Sequence, residues 1–201
     1  VWNGLTDDHH PTQLLADVMT LREIFKDLAG LRVVYIGDGR NNVVRSLAIG
    51  ALKFGYELSV VAPTELLPDA KMIREIEECT LERNGYITFG SDICTGIKNA
   101  SAIYTDVWVS MGEENKTEER IALLRDYKVT AKIMAGTGRD DTIFLHCLPA
   151  FHDLETEVAR QWPEICEVDD DVFKSPASQV FQQAQNRMHT IKALMLETVK
   201  R

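Results

Sequence analysis

A short β-branched run that ends in two glycines decides the fold of this chain: residues 31–42 read LRVVYIGDGRNN. The apolar residues from Leu31 to Ile36 are typical of a buried strand, which Gly37 ends. A helical stretch from about Asn41 to Phe54 follows, and then a second apolar run from Leu58 to Ala62. Strand, helix and strand in this order predict a βαβ unit with two parallel strands.

The same alternation continues in both directions from this unit. Towards the amino terminus, apolar residues at three- and four-residue steps between Thr12 and Leu28 predict an amphipathic helix, with Pro11 in its first turn. Towards the carboxyl terminus, the pattern predicts helices at 69–84, 92–98 and 118–126 and strands at 86–89, 102–108 and 143–147. We therefore predict an α/β fold: a three-layer, open, mostly parallel, Rossmann-like sheet of about five strands, with helices on both faces.

A long helix is predicted to close the chain, beginning near Pro176. Its length of about 24 residues corresponds to roughly 36 Å, which is more than a small sheet needs as cover. An apolar stripe predicts that the helix packs along most of its length, in part against material outside this chain; the stripe consists of Val180, Ala184, Met188, Ile191 and Met195.

Composition excludes several classes of protein. The chain has 201 residues with 22 basic and 31 acidic side chains, so its formal net charge is −9. This acidic excess disfavours nucleic acid as a partner. A hydrophobic share of 45% and a charged share of 26% are typical of a globular domain. No apolar run approaches the roughly 18 residues that span a bilayer, and we expect no membrane association.

The cysteines indicate neither a metal site nor a disulfide framework. Cys79, Cys94, Cys147 and Cys166 are far apart in the sequence, and they form no Cys-x-x-Cys pair with partner histidines. Such usage is typical of a reducing compartment, so we expect a cytoplasmic protein without a bound metal.

Chemically suggestive residues follow three of the predicted strands. Residues 37–42 follow the first strand, residues 106–112 end the fourth, and residues 146–149 end the fifth. Parallel strands of a doubly wound sheet bind ligands at their carboxyl ends, so the three segments should line one crevice. A dinucleotide fingerprint would require a third glycine where Asn42 stands, which disfavours NAD as a cofactor.

Several of these segments resemble the signature segments of ornithine carbamoyltransferases. They are His10-Pro11-Thr12-Gln13, residues 106–112 (DVWVSMG) and residues 146–153 (HCLPAFHD), and residues 4–6 and 186–190 match as well. The resemblance therefore covers nearly the whole chain. Aspartate carbamoyltransferases share the first motif but not the other two, which indicates ornithine as the second substrate.

The resemblance implies transfer of a carbamoyl group from carbamoyl phosphate to ornithine, giving citrulline and phosphate, with no cofactor. It also implies an amino-terminal carbamoyl-phosphate domain with a Ser-x-Arg-Thr-Arg loop, which this sequence lacks. We expect a linking helix at 1–28, an ornithine-binding domain at 29–175, and a carboxy-terminal helix at 176–201 that packs toward the other domain. The family is typically homotrimeric or a higher multiple of trimers.

For ornithine, the resemblance implies contacts from Asn42, Asp106, Ser110 and Met111. Asp106 would accept hydrogen bonds from the α-ammonium, and Asn42 has an amide donor for the α-carboxylate. Cys147 would lie beside the attacking amine, where a thiol or a thiolate can orient or deprotonate it. The ordinary alternatives are a strand-end carboxylate satisfied by a turn for Asp106 and inert core packing for Cys147.

For carbamoyl phosphate, the resemblance implies contacts from His10, Pro11, Thr12 and Gln13, from Cys147 and Leu148, and from Arg187. His10 and Gln13 would polarise the carbamoyl carbonyl, and Arg187 would offer its guanidinium. A helix-capping His10 and a solvated Arg187 are the alternatives. We interpret His146 as a structural residue, and we expect His9 and His152 to be surface or loop residues and Arg40 to be solvated.

Two classes of function remain open from the sequence. The first is a carbamoyltransferase domain with His10, Asp106 and Cys147 as its catalytic residues. The second is a non-catalytic fragment or degenerate homologue, which binds ornithine or serves in assembly.

Overall fold

The computed structural model describes residues 1–79, 84–109 and 112–199. Within these ranges the strands are β1 (Arg32–Ile36), β2 (Glu57–Val61), β3 (Tyr86–Gly90), β4 (Ala102–Thr105) and β5 (Ile143–His146). The α-helices are α1 (Pro11–Phe25), α2 (Asn42–Phe54), α3 (Ala70–Glu78), α4 (Ile93–Gly96), α5 (Thr117–Leu124), α6 (Ala131–Gly136), α7 (Glu157–Gln161), α8 (Asp170–Phe173) and α9 (Val180–Val199). Single 3-10 turns lie at Thr64–Leu66, Glu114–Lys116, Arg125–Tyr127 and Pro163–Ile165.

The five strands form one parallel sheet in the order β3-β2-β1-β4-β5. β1 is central: Val34 pairs with Ser59 of β2 on one side and with Ile103 of β4 on the other. From β1 the chain adds β2 and β3 on one side of the sheet, and it then returns to the other side of β1 with β4 and β5. The carboxyl ends of β1 and β4 therefore flank the topological switch point, where doubly wound sheets bind their ligands. The predicted fold class is confirmed.

Helices cover both faces of this sheet. On one face α1, α2 and α3 bury residues such as Leu21, Leu47 and Ile76 against the strands. On the other face Ile133 of α6 and Phe173 of α8 belong to a second buried cluster. The central strands are apolar on both faces because both are covered, which explains their continuous hydrophobic runs.

Some element boundaries differ from the predicted ones. β4 ends at Thr105 rather than Trp108, so Asp106 lies in the loop beyond the sheet. α1 ends at Phe25 rather than Leu28. The helices α6, α7 and α8 were not predicted, because runs of four to six residues show too little periodicity. The helix predicted at 69–84 ends at Glu78 in the structure, and residues 80–83 lie outside the described ranges.

The carboxy-terminal helix begins later than predicted, and most of its apolar stripe is exposed within this chain. α9 begins at Val180 and has 20 residues, which is about 30 Å. Val180 is buried, but Met188 and Met195 of the apolar stripe are 48% and 44% exposed. The deeply buried side chains beyond the first residue are Gln183 and Asn186, because α1 presents polar groups to this helix. Among the described residues, no helix is long and apolar enough to cross a membrane.

Candidate active site

Asp106 lies at the switch point and connects three elements of the fold. It lies directly after β4, where its Oδ1 accepts hydrogen bonds from the backbone N–H of Val107 at 2.8 Å and from the thiol of Cys147 at 2.9 Å. Its Oδ2 accepts a hydrogen bond of 3.2 Å from the side-chain amide of Asn41. One carboxylate thus connects the carboxyl ends of β4 and β5 and the start of α2.

Cys147 follows β5, and its half-buried thiol points at this carboxylate. Burial first, and then the negative charge of Asp106, raise the pKa of Cys147 well above its ordinary value. Both effects disfavour a thiolate, because a second negative charge would have to form beside Asp106 in a poorly solvated place. In this arrangement Cys147 is a protonated hydrogen-bond donor. Of the two ionisation states that the sequence left open, the structure thus favours the thiol over the thiolate.

Asn41 is a site residue that the sequence analysis missed. It is the N-cap of α2, and its Oδ1 accepts the backbone N–H of Val44. Its Nδ2 donates to the hydroxyl of Tyr35 at 2.6 Å as well as to Asp106. The available signal was the preference for asparagine immediately before a helix that follows a glycine turn.

Asn42, which is predicted to bind ornithine, points its side chain away from Asp106, unlike its neighbour Asn41. Its Nδ2 donates to the backbone carbonyl of Thr6 at 2.8 Å, and the residue is half-buried. The other two predicted ornithine ligands, Ser110 and Met111, lie outside the described residues. A cleft of about 560 Å³ opens beside Asn41 and Asn42; it is also lined by Asp7, Asp38, Arg40, Gly112, Glu113, Lys116 and Arg120.

A buried ion cluster holds the two walls of this cleft together. The guanidinium of Arg120 on α5 contacts Oδ2 of Asp38 at 2.6 Å and Oε2 of Glu113 at 3.2 Å. Asp38 follows β1 and Glu113 follows the loop after β4, so Arg120 joins the two loops that meet at the switch point. Asp38 also pairs with Arg40, which is ion-paired at the surface rather than simply solvated.

His146 is a structural residue in the described geometry. Its Nδ1 accepts the backbone N–H of Leu148 at 2.9 Å, and its Nε2 lies 3.0 Å from Oε1 of Glu167. Glu167 Oε1 also accepts the backbone N–H of Phe151. Potential metal-ligand atoms of Asp106, His146 and Cys147 lie within 4.8 Å of one another. All three residues make protein hydrogen bonds, and Leu148 and Glu167 engage both ring nitrogens of His146.

The motif of residues 10–13 begins α1. His10 is the N-cap residue without a side-chain capping bond, and Pro11 opens the helix. The hydroxyl of Thr12 donates to the carbonyl of Gly4 at 2.9 Å. Burial first, and then the charge of Arg187, lower the pKa of His10, while hydrogen bonding to the Gly4 backbone and the charge of Asp106 act in the opposite direction. A neutral imidazole is favoured, and its Nδ1 is buried with no hydrogen-bond partner among the described residues.

Gln13 and Arg187 meet between α1 and α9. The Nη1 atom of Arg187 donates to Oε1 of Gln13 at 3.4 Å, and Gln13 is buried. Arg187 is half-buried rather than solvated. These contacts place the two predicted carbamoyl-phosphate ligands side by side, although 174 positions separate them in the sequence.

The remaining predicted residues are placed in loops around this centre. Leu148 has a positive φ of 55° and precedes Pro149 through a cis peptide bond. His9 donates its backbone N–H to the hydroxyl of Thr6. His152 is not a free loop residue, because its Nδ1 lies 2.7 Å from Oδ1 of Asp170 and its ring stacks on Phe173 at 3.8 Å between centroids.

The fold and the site together define a doubly wound α/β domain with a polar cleft at its switch point. The model of the aspartate/ornithine carbamoyltransferase family, in its Asp/Orn-binding domain, matches residues 29–198. The chain belongs to the aspartate/ornithine carbamoyltransferase family through this domain.

Named relatives are ornithine carbamoyltransferases. The anabolic ornithine carbamoyltransferase 2 of Pseudomonas savastanoi pv. phaseolicola is 62% identical over 199 residues, which are 99% of this chain and 61% of that protein. The catabolic enzyme of Bacillus licheniformis is 50% identical over 204 residues, with the same coverage of both chains. This chain therefore spans about three-fifths of the length of these relatives.

Solved structures agree with these matches. The ornithine carbamoyltransferase from Pyrococcus furiosus superposes with a TM-score of 0.82 at 40% sequence identity. The match covers 96% of this chain and 57% of that chain. The resemblance noted in the sequence is confirmed at the level of the family and of the fold.

Proposed function

We propose that this chain carries the ornithine-binding part of an ornithine carbamoyltransferase. The reaction transfers the carbamoyl group of carbamoyl phosphate to the side-chain amine of ornithine. The nitrogen–carbon bond forms as the bond from that carbon to the phosphate oxygen breaks, and citrulline, phosphate and a proton result. The observation that carries the proposal is the contact between the Cys147 thiol and the Asp106 carboxylate at the switch point.

Asp106 is suited to the α-ammonium of ornithine. Its two oxygens take their hydrogen bonds from Asn41, Val107 and Cys147, and a carboxylate oxygen can accept more than one donor. Asn42 would turn its amide from Thr6 to the α-carboxylate, and Ser110 and Met111 would complete this side of the crevice. With its thiol protonated, Cys147 would orient the neutral side-chain amine rather than remove its proton.

The residues at the start of α1 are suited to the carbamoyl group. A neutral His10 can donate one ring N–H to the carbamoyl oxygen, where negative charge develops during attack. The side-chain oxygen of Gln13, which contacts Arg187, can accept a hydrogen bond from the carbamoyl nitrogen. The adjacent Arg187 would pair with the phosphate. Pro11, Thr12 and Leu148 would contact the same ligand through the backbone at their positions in the two loops.

The partners of the domain follow from the same proposal. An amino-terminal carbamoyl-phosphate domain would complete the site, with residues 1–28 as the link and residues 176–201 packing toward it. Assembly as a homotrimer or a multiple of trimers, and a cytoplasmic location, remain predictions.

The test is citrulline formation. The 201-residue chain alone should show no turnover, because holding two substrates in attack geometry can contribute about 7–11 kcal/mol to the lowering of a barrier and one phosphate-binding arginine does not supply it. Adding the amino-terminal domain of the Pseudomonas relative in trans should restore turnover, and Arg187→Ala should abolish it. If the chain alone shows turnover and that turnover depends on Arg187, the proposal that an amino-terminal domain is needed to complete the site is contradicted. Ornithine binding without turnover in the mixture supports the non-catalytic alternative.

A further inference from the structure

Asp17 is a buried carboxyl group that the proposed chemistry leaves unused. It lies on α1, one turn after Gln13, and is 1% exposed. Its Oδ1 accepts two hydrogen bonds, one of 2.8 Å from Nε2 of Gln13 and one of 2.7 Å from Nε2 of Gln183 on α9. Its Oδ2 is buried without a hydrogen-bond partner among the described residues.

The two glutamines connect Asp17 to two parts of the candidate site, namely Arg187 and the backbone before Cys147. Because an ionised carboxylate can only accept hydrogen bonds, both amide nitrogens must face Asp17 and both amide oxygens must face away from it. The outward oxygen of Gln13 accepts from Arg187, and the outward oxygen of Gln183 accepts the backbone N–H of His146 at 3.0 Å. His146 directly precedes Cys147. Gln183 also donates to the hydroxyl of Tyr104 at 3.1 Å.

We propose that Asp17 is a positioning residue of this site: it orients Gln13 toward Arg187 and, through Gln183, fixes the backbone that leads into Cys147. The effect of Asp17 on turnover rests on the proposed function, whereas the effect of Asp17 on the two glutamine amides does not. Burying a carboxyl group away from water is unfavourable, and a neutral side chain could join α1 to α9 at a smaller cost. The position of Asp17 between two amides of the site accounts for its presence there.

The contact survives a change in the charge of Asp17. Burial raises the pKa of Asp17 to about 7, while hydrogen bonding from Gln183, Gln13 and Tyr104 and the charge of Arg187 lower this pKa. A proton on Oδ2, the oxygen without a partner, leaves Oδ1 free to accept from both glutamines. An asparagine at this position also keeps an acceptor oxygen, whereas a leucine of similar size keeps none.

The direct test follows the side-chain amide protons of Gln13 and Gln183 by NMR in the 201-residue chain. In Asp17→Leu they should exchange with solvent at least tenfold faster than in the parent, and in Asp17→Asn within about threefold of it. The matched control is Thr20→Val, one turn further along α1, which removes a different buried contact between α1 and α9. This control should leave the Gln13 amide protected.

A second measurement needs no variant. The ¹⁵N shifts of the Gln13 and Gln183 side-chain amides should follow the titration of the Asp17 carboxyl carbon with one common midpoint. Amides that do not respond while Asp17 titrates overturn the proposal, as does unchanged protection of Gln13 in a folded Asp17→Leu chain.

Turnover in the reconstituted mixture tests the consequence for catalysis. Asp17→Leu should lower kcat/KM for carbamoyl phosphate at least tenfold in the parent, and less than twofold in a chain that already carries both Gln13→Ala and Gln183→Ala. Losses that multiply, or an equal loss from Thr20→Val, assign Asp17 to helix packing and overturn its positioning role. A mixture in which the parent itself shows no turnover counts against the proposed function, and the NMR measurements then decide the role of Asp17 by themselves.

Discussion

The thiol of Cys147 donates a hydrogen bond of 2.9 Å to Oδ1 of Asp106, across 41 positions of sequence. The two residues end neighbouring strands of a parallel sheet, and β4 and β5 pair in register up to Thr105 and His146. Each residue therefore follows a paired position on its strand. In the proposed function, this relationship would bring an acceptor for the α-ammonium of ornithine next to a donor that orients its side-chain amine.

Substituting Asp106 should weaken the binding of an amino acid head group. Norvaline has the head group of ornithine but no side-chain amine, and calorimetry on the 201-residue chain measures its affinity. Asp106→Ala should cost about 1.5–3 kcal/mol, because the ammonium loses a charged acceptor. Asp141→Ala, in an exposed ion pair with Arg139, should change nothing. Equal affinities of the parent and Asp106→Ala would exclude this site.

Alkylation should report the charge beside Cys147. At pH 8 the exposed Cys79 and Cys94 should react before Cys147, whose pKa burial and Asp106 raise. Asp106→Asn removes the negative charge, lowers the pKa of Cys147 toward its ordinary value, and should speed its alkylation. Saturating norvaline should slow the reaction in the parent. Mass mapping after timed quenching measures each cysteine, and an unchanged Cys147 rate in Asp106→Asn would contradict the electrostatic role.

The buried carboxyl of Asp17 should make stability depend on pH. Its pKa is about 7 in the folded chain against 3.8 for an ordinary aspartate. The folded chain thus binds this proton more tightly than the unfolded chain, and the free energy of unfolding should fall as pH rises from about 4 to about 7. Between pH 5 and pH 8 the expected fall from this group is about 2–3 kcal/mol.

Urea unfolding of the parent and Asp17→Asn measures that dependence. The difference between their unfolding free energies should change with pH, in favour of the variant at pH 8, because the variant has no charge to bury. Thr20→Val should keep the pH slope of the parent. A parent and an Asp17→Asn chain with parallel profiles would show that Asp17 does not titrate in this range.

Removing the guanidinium of Arg120 should destabilise the walls of the cleft. Arg120→Met leaves Asp38 and Glu113 without their shared partner in a place where the Arg120 side chain is 9% exposed. Loss of one member of a buried ion pair costs about 3–5 kcal/mol, and the partial exposure of Glu113 places the expected loss near the lower end. Arg139→Met, which breaks the exposed pair with Asp141, should cost less than about 1 kcal/mol. Similar losses in the two variants would contradict a structural role for the Arg120 cluster.

The alternation of β-branched runs and amphipathic helices along the sequence determines the α/β architecture. The apolar run from Leu31 to Ile36 indicates a strand that is covered on both sides, whereas the edge strand β3 is only partly covered. The motifs around His10, Asp106 and Cys147 determined the family by their order along the chain. Hydrophobic periodicity and motif order are properties of the sequence itself, so they can be read without the tertiary structure.

Which partner each side chain meets was decided only by the tertiary structure. Two adjacent asparagines are equivalent in the sequence, yet the N-cap geometry of α2 directs Asn41 to Asp106 and Asn42 to Thr6. The apolar stripe of α9 indicated one buried face, but polar groups of α1 selected the face of Gln183 and Asn186 instead. Hydrogen bonds between residues more than 160 positions apart depend on how two helices pack. Helical periodicity defines which residues share a face, and only packing decides which face is buried.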